Sequence, residues 1–212
     1  GDRTGPLVAA ACALGRRFQA IRLEMPDTNE GKALSALTRP LAVHLERALR
    51  REGVVLDDAG APERLHFFFV GGAACHVGVS DARCGSPWPN GIPRLRMPPG
   101  APSRSTLKLA EALQVFLGEA GERLLQPGMT AVDLGAAPGG WTWQLARRHL
   151  RVTAVDNGPL DPAVLETGVV THRKADGLTY RPSHPVDWMV CDMIEQPSRI
   201  AALAGRWVGQ GW

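Results

Sequence analysis

The run Val132-Asp133-Leu134-Gly135-Ala136-Ala137-Pro138-Gly139-Gly140-Trp141 constrains this chain more than any other segment. Thr130 to Leu134 is an apolar stretch of strand length. The glycines and proline that follow exclude regular structure, and Gly139 to Leu150 then reads as a helix. Arg151 to Asp156 is a second buried strand, with Val169 to Arg173 and Trp188 to Cys191 as later ones. Strands alternating with helices in this way predict a parallel sheet with right-handed crossovers. Ligands of such sheets settle beyond the C-terminal strand ends, so the glycine-rich turn is predicted to line a pocket. Glycine admits a close backbone approach to a ligand, and the helix start behind it offers free N–H groups.

Ahead of this region, Cys84 to Arg104 holds six prolines and three glycines, which exclude a long helix and mark an interdomain linker. The expected organisation is a small α+β domain over residues 1–84, a linker over 85–103 and an α/β domain over 104–212. Within the first part, Arg17 to Met25 alternates like a half-buried strand ending at Pro26. Asp27, Thr28 and Asn29 are N-cap candidates for a helix whose leucines recur at helical spacing until Gly53, with Pro40 expected to break or kink it. Leu65 to Val70 and Cys75 to Ser80 flank Gly71-Gly72 as an antiparallel hairpin. After the linker, Ser105 is placed to cap a helix running to about Ala120, with Leu107, Ala110, Leu113, Phe116 and Leu117 on its apolar face.

No apolar stretch approaches the roughly 20 residues of a spanning helix, and Leu7 to Leu14 lacks the basic flank and cleavage pattern of a signal peptide. Cys12, Cys75, Cys84 and Cys191 show no paired spacing, so neither a zinc site nor a disulfide framework is expected and a cytoplasmic setting is. His66, His76 and His172 sit in or beside strands without metal-ligand spacing, which favours core or surface roles and predicts no metal. A net charge of +3 permits a polyanionic partner without demanding one.

The turn is not a G-x-G-x-x-G dinucleotide fingerprint, and Asp133 would place a carboxylate where a pyrophosphate must sit. S-adenosylmethionine (SAM) carries a sulfonium and an ammonium instead of phosphates, and tolerates nearby acids. Asp156 closes the second strand about 20 residues after the turn, where a carboxylate can take both hydroxyls of an adenosine ribose. Asp156 by itself fits either nucleotide cofactor. Asp176 follows the third strand and Asp192 closes the fourth, so three successive strand ends deliver acids to one rim.

Ser103-Arg104-Ser105-Thr106-Leu107-Lys108, the glycine-rich turn, Asp156-Asn157-Gly158-Pro159 and Met189-Val190-Cys191-Asp192-Met193 resemble the Rossmann-fold 2'-O-ribose methyltransferases, and within them the RlmM type. Met25-Pro26-Asp27-Thr28-Asn29-Glu30-Gly31-Lys32 and Gly91-Ile92-Pro93-Arg94-Leu95 resemble the THUMP domain and linker of that type, so the likeness covers nearly all of residues 18 to 212. The resemblance implies a Rossmann-like SAM methyltransferase domain behind a THUMP-like RNA-docking domain. It also implies methylation of a cytidine ribose in 23S ribosomal RNA, before ribosome assembly is complete, by a monomer without membrane contact. Ser105, Ala137, Pro138, Gly139, Gly140, Asp156, Asp176 and Asp192 fall where the family binds SAM. Lys108 and Asp192 match the first two members of its Lys-Asp-Lys-Glu tetrad. No lysine follows Lys174, so the second Lys, the family's proton acceptor, and the Glu are not in this chain. The expectation is a chain cut from a longer protein and inactive by itself.

Arg94, Arg96 and Arg104, in and beside the linker, are candidates for RNA phosphate contacts, and equally for solubilising surface charge. Trp141 and Trp143 read as packing residues before base-stacking ones. Two rival readings remain at this point: a SAM methyltransferase acting on a small molecule or protein, and a non-catalytic fragment that binds RNA or SAM.

Overall fold

In the computed structural model, which describes residues 3–212, the apolar positions of the front half converge on one face of a three-stranded sheet. The elements are α1 (Thr4–Leu14), β1 (Ile21–Glu24), α2 (Asn29–Ala33), α3 (Ser35–Arg51), β2 (Glu63–Gly71) and β3 (Ala74–Asp81). β2 is central, parallel to β1 and antiparallel to β3, so the hairpin forms as the sequence predicts. Its alternation sends Leu65, Phe67 and Phe69 into a core shared with Val8 and Ala11 of α1, Phe18, and Leu41, Leu45 and Leu49 of α3. The stretch Leu7–Leu14, read in the sequence only as lacking signal-peptide features, thus belongs to a packed helix.

Of the break or kink expected at Pro40, the break does not occur: α3 runs through it, and the interruption lies at Leu34, between α2 and α3. Pro40 withholds one N–H from the Ala36 carbonyl, and both residues are exposed, so water can satisfy that carbonyl. Three buried leucines downstream, each contributing roughly 1.5–3 kcal/mol, outweigh one lost bond. α2 begins where Thr28 Oγ1 accepts from Gly31 N at 3.0 Å. Gly31 is required there because a Cβ would fall on the Pro26 carbonyl.

The opposite face of this sheet is polar and holds the chain that follows β3. Buried Arg64 donates to Gln19 Oε1 (2.8 Å), to the carbonyls of Gly85 and Ser86 (2.9 Å each) and to that of Ala82 (2.7 Å). The Glu24 carboxylate accepts from Asn90 N and meets His66 Nδ1, both at 2.7 Å, and Arg22 donates to the Pro87 carbonyl. The described residues divide into two compact units, the first ending at Arg94 and the second spanning Leu95–Trp212.

The second unit comprises α4 (Thr106–Leu117), α5 (Gly121–Leu124), β4 (Thr130–Leu134), α6 (Gly140–Ala146), β5 (Arg151–Val155), α7 (Pro162–Leu165), β6 (Val170–Arg173), β7 (Trp188–Cys191) and α8 (Pro197–Gln210). Its strands pair in the order β6-β5-β4-β7, all parallel, as the alternating pattern predicts. Leu109, Leu145 and Leu150 cover one face with Ala131 and Val152. Leu203 and Trp207 of α8 cover the other with Val132, Leu134 and Val155. Strands buried on both faces explain why TAVDL and RVTAV carry so little polar alternation. Among the described residues no helix is long and apolar enough to cross a membrane.

Replacing Arg64 by Ala would leave three carbonyls and the Gln19 amide without their donor. We expect Arg64→Ala to lower unfolding stability by about 3 kcal/mol and to speed amide exchange at Gly85, with Arg64→Lys failing to rescue because one ammonium cannot span four acceptors. Denaturant unfolding and hydrogen exchange check this; unchanged exchange at Gly85 would contradict it.

Candidate functional site

The parallel register brings the C-terminal ends of β4, β5 and β7 level, with Leu134 opposite both Val155 and Cys191. β4 then turns sharply. Gly135 has φ +78°, and a Cβ there would collide with Met193, so only glycine fits. The N–H groups of Gly135 and Ala136 donate to the Val155 carbonyl at 3.0 and 3.3 Å. Ala137 N donates to Asp156 Oδ2 at 3.0 Å, while Asp156 Oδ1 accepts from Gly158 N at 2.7 Å. One carboxylate thus fastens the turn after β4 to the chain leaving β5.

Asp156 N donates to the Arg173 carbonyl at 3.1 Å, and the Asp156 carbonyl meets His172 Nε2 at 2.9 Å. Asp176 opens the turn after β6 and its Oδ1 accepts from Leu178 N at 2.8 Å. Asp192 N donates to the Leu134 carbonyl at 3.2 Å, and its two oxygens lie 3.0 and 3.2 Å from Lys108 Nζ. Asp156, Asp176 and Asp192 line one cavity of about 360 Å³ with Gly135, Ala137 and Met193. A larger cavity, about 660 Å³, lies toward the opposite strand ends and is lined by Arg147, Arg148 and His149, an electrostatic setting unsuited to a cationic ligand.

Beneath the rim, Asp133 is fully buried on β4. Thr142 Oγ1 donates to its Oδ2 at 2.6 Å, and its Oδ1 has no hydrogen-bond partner among the described residues. Burial pushes this carboxyl up to about 6; the Thr142 bonds oppose the rise, and the charges of Asp192 and Asp156 add to it. Ser103 Oγ and Ser105 Oγ stand 2.6 Å apart over Gly140, where a Cβ would overlap both hydroxyls. Trp141 Nε1 donates to the Ser105 carbonyl at 3.0 Å, and Gln144 Nε2 to that of Thr106 at 3.2 Å, which seats the start of α4 on α6. Both tryptophans pack, as expected: Trp141 through this bond, and Trp143 buried with the Arg147 guanidinium 4.6 Å from its ring centroid.

The structure therefore gathers Ala137, Asp156, Asp176 and Asp192 around one cavity and adds Lys108 through Asp192. Pro138, Gly139, Gly140 and Ser105 are not among the residues lining it. Gly139 instead packs on Val164, whose methyl groups stand where a Cβ would be, and Gly140 packs on the Ser103 and Ser105 hydroxyls. Arg94 pairs with Asp27 at 3.0 Å, whereas the Arg96 and Arg104 side chains form no ion pair among the described residues. Ser103, Thr142, Met193 and His172 are features of the site that sequence reasoning missed. Ser103 and Met193 carried a signal, as parts of the S-R-S-T-L-K and M-V-C-D-M runs.

A carboxyl held above its unfolded value of 3.8 keeps its proton in the folded chain where the unfolded chain has lost it, so folding is favoured on the acid side and that advantage drains away as pH rises toward 6. Asp133→Asn keeps an acceptor for Thr142 and does not titrate. We expect the unfolding free energy of the wild type, relative to this variant, to fall by about 2 kcal/mol between roughly pH 4 and pH 6.5. Urea titrations across that range measure it; parallel pH profiles would show that Asp133 ionises normally.

Residues 2–81 match the family "Ribosomal RNA large subunit methyltransferase M, N-terminal", and residues 101–204 match the "FtsJ-like methyltransferase" family. The chain is 55% identical over 212 residues to ribosomal RNA large subunit methyltransferase M of Methylococcus capsulatus, covering 99% of this chain and 58% of that protein. It is 53% identical to the protein of the same name from Alkalilimnicola ehrlichii, covering 100% of this chain and 59% of the relative. For that of Azoarcus sp. the identity is 54%, over 99% and 58%. The chain thus spans somewhat under three-fifths of the length of these curated relatives. With both family matches in this order and 53–55% identity along the whole chain, it belongs to the ribosomal RNA large subunit methyltransferase M family, with that family's N-terminal domain followed by an FtsJ-like methyltransferase domain.

Proposed function

We propose that this chain supplies the cofactor site and part of the RNA-docking surface of a SAM-dependent methyltransferase that modifies a cytidine 2'-hydroxyl in 23S ribosomal RNA. The observation that carries the reading is the convergence of Asp156, Asp176 and Asp192 on one cavity beside the glycine-rich turn, with Lys108 fixed to Asp192. The residues fit a cationic nucleoside. Each Asp156 oxygen already holds one backbone N–H and keeps a lone pair, so the two oxygens can accept the two hydroxyls of an adenosine ribose. Asp133, buried with an unpaired oxygen behind the turn, adds negative potential suited to a sulfonium.

Bound SAM supplies an electrophilic methyl group. The chain's own residues supply orientation. Transfer requires the acceptor oxygen, the methyl carbon and the sulfur to be nearly collinear, so fixing both substrates provides much of the rate. Asp192 holds the Lys108 ammonium in two-oxygen contact at the cavity edge, where it can direct the ribose hydroxyl and stabilise the oxygen as its proton leaves. Both groups are partly exposed, so the pair is read as an aiming device and not as a source of stability. The proton acceptor that the family resemblance implies, a second lysine, has no counterpart after Lys174. Ala137 lines the cavity, and Ser105, Pro138, Gly139 and Gly140 are assigned to the cofactor on the family resemblance. Arg94, Arg96 and Arg104 are assigned to RNA phosphates, with Arg94 exchanging its Asp27 partner for one. The expected setting is the cytoplasm, acting as a monomer on RNA not yet fully assembled into the subunit.

In calorimetric titrations the 212-residue chain is expected to bind SAM, and Asp156→Ala to weaken it by tenfold or more, since two hydrogen bonds to a charged acceptor are lost. In the protein extended to the length of its relatives, Lys108→Ala is expected to keep SAM affinity within about threefold and to lower the methylation rate on 23S RNA by about 10²-fold. A Lys108→Ala enzyme of normal rate would remove this residue from the mechanism. Normal SAM affinity in Asp156→Ala would remove the cofactor reading itself.

A further inference from the structure

We infer that His172 is a positioning residue for the cofactor, acting through the backbone of Asp156; the inference rests on the SAM reading of that aspartate. β5 and β6 pair in parallel as far as Val155 opposite Arg173, and the last ladder bond between them runs from Asp156 N to the Arg173 carbonyl. Past that point the chain after β6 leaves the sheet, and Asp176 starts its turn at the cavity. The Asp156 carbonyl therefore has no strand neighbour to donate to it. His172, which stands opposite Ala154 in the register, fills that role with its ring: Nε2 lies 2.9 Å from the carbonyl oxygen. A carbonyl oxygen can only accept, so Nε2 carries the hydrogen.

Asp156 is consequently held at every polar atom. Its N–H is fixed by Arg173, its carbonyl by His172 and its carboxylate by the N–H groups of Ala137 and Gly158. Two carboxylate oxygens must meet two ribose hydroxyls at once, which demands a fixed peptide plane as well as a fixed side chain. The imidazole allows β6 to turn away early enough to deliver Asp176 while Asp156 stays in place. A backbone donor could not do both, because it would require the strand to continue.

The test is a double-mutant cycle on SAM affinity, measured calorimetrically with the 212-residue chain. His172→Ala should weaken SAM binding about fivefold, the scale of one hydrogen bond. His172→Gln, whose amide can donate to the same carbonyl, should recover affinity to within about twofold even if thermal stability is lowered. Adding His172→Ala to Asp156→Ala should cost nothing further, since the residue acts only through Asp156. Wild-type affinity in His172→Ala, failure of the Gln variant to recover affinity, or losses that add in the double variant would overturn the inference and leave the cofactor site standing. If instead the wild type takes up no SAM, or Asp156→Ala binds it normally, the site reading falls and the inference with it.

Discussion

Parallel pairing on both sides of β4 is the constraint from which the site follows. With Leu134 opposite Val155 on one side and Cys191 on the other, the strands end together, and whatever residue comes next on each is delivered to the same edge. Asp156 and Asp192 are those residues on β5 and β7. Gly135 is the next residue on β4, and its positive φ folds the chain away from the edge and leaves space above it. Had the pairing slipped by one residue, side chains now buried between helices would face the opposite layer, and the leucines and valines of both cores forbid that. The hydrophobic layers thus set the register, and the register sets the distances among the acids.

The same division of labour holds in the first unit, with polarity reversed. Apolar residues of β2 fix the sheet against α1 and α3, and the opposite face uses charge to hold irregular backbone. Arg64 suits this because a planar guanidinium presents five donors, enough for the bonds it makes to Gln19, Ala82, Gly85 and Ser86. Glu24 works as the complementary acceptor, between His66 and the Asn90 N–H. A proline-rich segment has few N–H groups with which to build its own ladder, so it is fixed through carbonyls taken by side chains. Composition alone marks such a segment as a linker; it carries no sign of which side chains will grip it.

Legibility in the sequence follows the same physics. Thr130–Leu134 and Trp188–Cys191 form as read because short, largely apolar runs between breakers mark strands, whether mostly buried as β4 is or half-buried as β7 is. The Asp156 and Asp192 positions were legible because they end such runs. Pro40 misled because a local rule about helix interiors meets a helix whose buried leucines overrule it. α8 went unread although Leu203 and Trp207 sit at helical spacing, since Ala and Gly around them dilute the pattern. His172, Thr142 and Ser103 could not be found by periodicity at all. Their contacts join residues 16, 9 and 2 apart through a ring nitrogen and two hydroxyls, and nothing in the composition of their strands or loops specifies such pairs.

The electrostatics of the site argue that its arrangement serves binding and not folding. Asp133 is desolvated, lacks a partner for one oxygen, and is raised further by Asp192 and Asp156. A fold selected for stability alone would place an amide or an aliphatic residue there, since removing an unpaired buried acceptor costs little and leaving it in place costs about 1–3 kcal/mol. The described cation in contact with these acids is Lys108, which reaches only Asp192 and remains largely in solvent. Like charges kept together behind a turn shaped by glycine suit the proposed cationic ligand, because a cation in the cavity would relieve their mutual repulsion. By the same linkage, a cation bound at the proposed cofactor site would draw Asp133 toward its ionised form.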